Sequence, residues 1–141
     1  MSQSYFDEKK VITLALAKVL MAAAEQEIVR QGWSMYVAFV DDSGTPILVE
    51  NVSRAQPASW KISIAKAAAA ARFRRPTKVW EDRVKAGAPN IMTLPGVVAS
   101  EGGVPLVVTG QVVGAVGVSG GTGAEDGVVA QAVVAALAGL L

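Results

Sequence analysis

The stretch from Val104 to Ser119 constrains the fold more than any other part of the chain. It holds no charged residue, and valine recurs at 104, 107, 108, 112, 113, 116 and 118. Such a run reads as two strands, Val104 to Thr109 and Gln111 to Ser119, flanking a turn at Gly110. Strands with no polar alternate are buried on both faces. Helices must therefore cover the sheet on either side.

The rest of the chain supplies them. Met35 to Val40 and Pro46 to Val49 form a second hairpin around the Asp41-Asp42-Ser43-Gly44 turn. Ahead of it, Ile12, Leu16, Val19 and Ala23 repeat at helical spacing and predict a helix from about Asp7 to Gln31, stopped by Gly32. A second helix, roughly Pro57 to Arg74, centres on Ala67 to Ala71, whose small side chains predict close backbone packing. Arg75-Pro76-Thr77 ends it, because the residue before a proline is disfavoured in helical geometry.

A short helix from Thr77 to about Lys85 follows, and Gly87 to Gly96, with Pro89 and Pro95, reads as irregular chain or an edge strand. Thr122 and Glu125 form a capping box that opens a last helix to Leu141, with Val129, Val133, Ala136 and Leu140 facing the core. Hairpins set between helices predict a three-layer α/β sandwich with a largely antiparallel sheet. At 141 residues, with no linker and no repeat, one domain spanning residues 1–141 is expected.

Composition removes whole classes of chemistry. The chain has no cysteine and no histidine. Disulfides, thiolate nucleophiles, Cys/His zinc sites, serine–histidine triads and His-ligated haem are thereby excluded. No metal site is expected, and no cofactor is called for. Thirteen Lys+Arg against twelve Asp+Glu leave a net charge of +1, so no field gathers nucleic acid or an acidic membrane surface. At 52% hydrophobic and 18% charged residues the chain is too apolar for disorder. That balance suits a dense globule, or a subunit hiding further surface in an oligomer.

Lys9-Lys10, an apolar run and Met21-Ala22-Ala23-Ala24 have the outline of a signal peptide. Asp7 and Glu8 stand where only positive charge belongs, and Lys18 splits the run. A cytoplasmic protein is expected. The C-terminal apolar run from Val128 is shorter than the roughly 20 residues that span a bilayer.

Lys66 is the most informative side chain. At 100° per residue it falls on one arc with Ile62, Ala69 and Phe73. A lysine on an apolar stripe either snorkels to an edge or sits desolvated beside a carboxylate. Desolvation makes it a nucleophile, base or anion clamp; a structural ion pair is the plain alternative. Its candidate partners are Glu101 and Asp126. Glu101 precedes Gly102-Gly103, a pair suited to a ligand-lining turn or simply to an exposed one. Asp126 stands in the first turn of the last helix, where the dipole also favours it.

The loop Ser119-Gly120-Gly121 joins a buried strand to that helix, and its N–H groups are placed to hold a small carboxylate. Its spacing matches neither nucleotide-binding glycine motif. Arg72, Arg74, Arg75 and Lys78 cluster around Phe73; Arg72 is the candidate clamp for an anionic ligand, a solvated helix end being the alternative.

Together these pieces resemble the GlcG/HbpS family. The resemblance runs through Glu101-Gly102-Gly103-Val104-Pro105, Gly110, Gly114 to Thr122 and Glu125-Asp126, with Val40 to Gly44, Lys66-Ala67 and Phe73 to Thr77 agreeing. It covers nearly the whole chain. It implies a profilin-like fold with a five-stranded, mainly antiparallel sheet flanked by helices. It also implies homo-oligomers, dimers or larger even-numbered assemblies.

Family members are haem- or corrinoid-associated, and others accompany small-molecule catabolism. Two functions follow as expectations. In one, a cofactor-independent hydrolase or tautomerase acts on a small anionic metabolite, with Lys66, Glu101 and Asp126 catalytic and Arg72, Ser119, Gly120 and Gly121 binding. Imine or enamine hydrolysis or tautomerisation suits that inventory. In the other, the chain is a haem- or corrinoid-binding module without histidine, with Tyr5, Tyr36, Met21, Met35 and Met92 as the available donors.

Overall fold

A computed structural model describes residues 4–141. Its elements are α1 (Leu14–Gln31), β1 (Met35–Asp41), β2 (Pro46–Val52), α2 (Ser59–Phe73), α3 (Lys78–Lys85), β3 (Gly103–Val108), β4 (Gln111–Ser119) and α4 (Gly123–Ala138), with a short 3₁₀ helix at Pro89–Thr93. The four strands form one antiparallel sheet in the order β2-β1-β4-β3. Each hairpin thus lends one strand to the middle and one to an edge. The β3–β4 turn is tight, with Thr109 and Gly110 both left-handed at φ 47° and 79°.

Alternation along the central strands builds three layers. Val37, Phe39, Val116 and Val118 face α1 and α4, while Ala38, Val40 and Ala115 face α2. On the α2 side the contact is backbone-close: a side chain on Gly117 would run into Ser63 and Ala67 of the helix. The alanine-rich helix expected from sequence therefore packs as its composition implies.

The sheet has four strands, not five, since residues 87–96 contain the 3₁₀ helix instead of an edge strand. Pro89 at its first turn favours that geometry and offers no N–H to a ladder. α1 starts at Leu14, not near Asp7, because the Thr13 side chain caps it by accepting from the Leu16 N–H at 3.1 Å. The preceding Ile12 instead donates its N–H to the Val113 carbonyl at 2.9 Å.

The buried face of α1 is Ala17, Leu20, Met21, Ala24 and Ile28, leaving Val19 exposed. In α4 Leu137 takes the core position expected of Leu140, which is exposed. In α2 Ile62 is likewise exposed, and Ser59 and Ser63 join Lys66 on the buried face. The helix meets glycine and alanine there, so small hydroxyls fit where isoleucine would not. The capping box of α4 and the stop at Gly32 stand as read. No helix among the described residues is long and apolar enough to cross a membrane.

Candidate functional site

The Lys66 ammonium lies at the end of the sheet where β4 gives way to α4. It donates to the Val118 carbonyl at 3.0 Å and to Asp126 Oδ2 at 2.8 Å. Both side chains are sealed, 2% and 3% exposed. The other Asp126 oxygen, Oδ1, accepts the Gly121 N–H at 2.9 Å. Burial pushes the Asp126 carboxyl above its ordinary range; the Lys66 ammonium and the Gly121 N–H pull the other way.

The Glu101–Gly103 turn covers this pair. Gly102, at φ 134°, lies so close that a side chain there would press on Lys66 Nζ and Asp126 Cβ. Thr77 pins the turn from the other side: its N–H donates to the Gly103 carbonyl and its Oγ1 accepts the Gly103 N–H, both at 2.9 Å. The Val118 N–H holds the Gly102 carbonyl at 3.0 Å. The amine is roofed by backbone and does not meet solvent.

Of its two expected partners, Lys66 takes Asp126 and not Glu101. The Glu101 carboxyl lies across the turn, packed against Gly127 of α4 in the space a side chain there would fill. It faces a separate cavity of about 220 Å³, bounded by Pro76, Lys78, Asp82, Gly103, Gly127 and Gln131 among others. Lys78 lines that cavity while paired to Asp82 at 3.0 Å, and this carboxylate holds its ammonium above the ordinary lysine range.

The expected anion loop is already occupied from within. Gly121 serves Asp126, and the Thr122 N–H donates to Glu125 Oε1 at 2.9 Å. Ser119 is buried at the end of β4, and Gly120 abuts Ser34 and Met35. Arg72 is elsewhere, donating from Nε to the Ser43 carbonyl at 3.0 Å and bracing the β1–β2 turn at Gly44. Met21 and Met35 are core residues, and Tyr36 Oη accepts from Asn51. No group of three or more His, Cys, Asp or Glu side chains is set to hold a metal among the described residues.

Four contributors escaped the sequence reading: Thr77, Asp82, Gly127 and Gln131. Gly127 carried a signal, since glycine inside a helix costs about 1 kcal/mol against alanine and asks for a packing reason. Here the reason is the Glu101 carboxyl.

With that geometry in view, residues 12–135 match the family model described as haem degrading protein HbpS-like. The chain belongs to the HbpS-like family. It is 41% identical over 111 residues to Protein GlcG of Escherichia coli K12, covering 79% of this chain and 83% of GlcG. The crystal structure of Klebsiella pneumoniae protein ORFY superposes with a TM-score of 0.89 at 28% identity over 100% of both chains. A solved PduOC complex with haem superposes at 0.80 and 25% identity, over 89% of this chain and 94% of that one. Haem binding is thus found within the structural neighbourhood of this HbpS-like chain.

Proposed function

We propose that the chain binds a small polar metabolite in the Glu101 cavity and moves a proton on it, as imine or enamine hydrolysis or tautomerisation requires. The single observation behind this reading is the Glu101 carboxyl facing a bounded cavity beside the Lys78 ammonium. A carboxylate that takes a proton at one atom and returns it at another needs no cofactor. Lys78, paired to Asp82 at 3.0 Å, is the cation lining the cavity, and a ligand's acidic group would share it with that carboxylate. Lys66 and Asp126 act as positioning residues, fixing the turn that carries Glu101.

The cavity's size supports a small ligand. Sites for drug-sized molecules run to about 300–1,000 Å³, above the 220 Å³ here.

The test is turnover of small imines, enamines and oxo acids by the intact chain and by Glu101→Gln. The variant should lose about 10²–10⁴-fold in kcat with KM little moved. Retained turnover in Glu101→Gln removes Glu101 from the chemistry. A second reading, haem binding, is favoured by the haem complex of PduOC. It expects a Soret band when hemin is added, indifferent to Glu101→Gln.

A further inference from the structure

The wall of the Glu101 cavity is unevenly charged, and the imbalance bears on what can enter. Lys78, Asp82 and Glu101 are its charged residues, and Gln131 is a neutral polar one. Two carboxylates therefore face one ammonium. The apolar part of the wall, Pro76, Val79 and Val104, suits a short carbon stem.

That ammonium is already committed. α3 pairs its charges in two bridges four residues apart, Lys78 to Asp82 at 3.0 Å and Lys85 to Glu81 at 3.3 Å. Asp82 chiefly, and more weakly Glu101 and Glu81, hold the Lys78 ammonium above the ordinary lysine range. Glu81 Oε1 also accepts the Glu101 N–H at 3.3 Å, so three carboxylates gather where α3 meets the Glu101 turn. Asp82 and Glu81 each have a lysine. Among the described residues, the Glu101 carboxylate has no ion-pair partner and accepts no hydrogen bond.

The neighbouring arginines do not make up the difference. Arg75 and Arg83 lie over the Trp80 ring, 5.4 and 5.2 Å from its centroid, and Arg75 Nε donates to the Phe73 carbonyl. Neither lines the cavity. Trp80 gathers two positive charges to itself, and the cavity keeps an unmatched negative one.

Resting on the reading of this cavity as the ligand site, we infer that it takes a small organic cation. A primary ammonium or iminium group directs its N–H bonds at the Glu101 carboxylate, and its carbon stem lies against Val79 and Val104. A ligand carrying only negative charge is disfavoured, since it must draw Lys78 from Asp82 while lying beside Glu101. The class suits imine chemistry, in which the protonated imine and the released amine are both cations. Glu101 then faces a positive nitrogen in substrate and product alike.

The test compares butylamine, butan-1-ol and propionate, matched in size and differing in charge, by NMR titration of the intact chain at neutral pH. The Gly127 backbone amide and the Gln131 side-chain amide report binding. Butylammonium should bind about 10-fold or more tightly than the alcohol, as a hydrogen bond to a charged group allows, and propionate more weakly than either. Glu101→Gln should bring the amine down to the alcohol. Asp82→Asn, which releases Lys78, should raise the affinity for propionate about 3-fold. Absent amine binding, propionate bound as tightly as the amine, or an amine preference that survives Glu101→Gln overturns the inference. The wild-type series alone can do so, whatever the variants' stability. Catalysis is judged apart from this. Amine binding with no turnover of any imine leaves the inference standing and removes the proposed reaction; turnover with propionate preferred does the reverse.

Discussion

The two faces of the sheet are built to different scales. Toward α1 and α4 the core is large: Phe39, Leu20, Met21 and Ile28 are fully buried there. Toward α2 it is alanine against alanine, with Gly117 touching the helix backbone. The large face supplies most of the apolar area removed from water, the dominant favourable contribution to folding. The small face supplies proximity. Only because α2 lies this close does the Lys66 amine reach Val118 and, past the sheet, Asp126 on the opposite layer.

The strongest way to break this contrast is Lys66→Met. It leaves the Asp126 carboxyl buried without its cation, at a cost of about 3–5 kcal/mol. Urea denaturation should show that loss, and adding Asp126→Asn should recover much of it, because the Gly121 N–H keeps an acceptor. A single-variant loss below about 1 kcal/mol would mean the pair does not join the layers.

Next in size, Gly117→Ala should cost about 1–3 kcal/mol by overpacking. Leu20→Ala on the other face should cost about 2–5 kcal/mol by leaving a cavity. One methyl added on the small face would then rival three carbons removed on the large one. Tolerance of Gly117→Ala would show that α2 has room to spare.

The smallest effect lies where the α1 layer meets the edge strand β2. A hydrogen bond with Glu25, then burial, raises the Glu50 carboxyl from 4.5 to about 7. Between those values the folded chain holds a proton that the unfolded chain has released, so stability falls as pH rises from about 4.5 to about 7. Glu50→Gln should flatten that slope and gain stability above pH 7, by less than about 1 kcal/mol because Glu50 is partly exposed to solvent. Thermal melts across that range read it directly.

Much of this arrangement is legible in the residues themselves. Valine runs and turn residues mark both hairpins, Thr122 and Glu125 mark the start of α4, and a lysine within an alanine-rich helix marks a buried charge. What escapes is of two kinds. Local competition hides the first: Val11 and Ile12 continue the apolar spacing of α1, so the Thr13 cap is invisible until Ile12 is seen bonded to Val113. Long-range placement hides the second. Lys66 had two acids to choose from, and only the course of the turn at Gly102 puts Asp126 beside it and Glu101 beyond. The glycine loop reads as a holder of a ligand's carboxylate; in the fold its Gly121 N–H is turned to the chain's own Asp126.

Lys66 and Asp126 stand 60 positions apart, and that separation has a consequence for biosynthesis. While the polypeptide is emerging from the ribosome, α2 and the first hairpin are complete long before the aspartate appears. Until then the ammonium must stay hydrated, which keeps α2 from settling fully onto the strands. Final closure of the molecule therefore waits for its last helix, and a nascent chain halted before residue 126 would remain open to proteases along its alanine-rich flank.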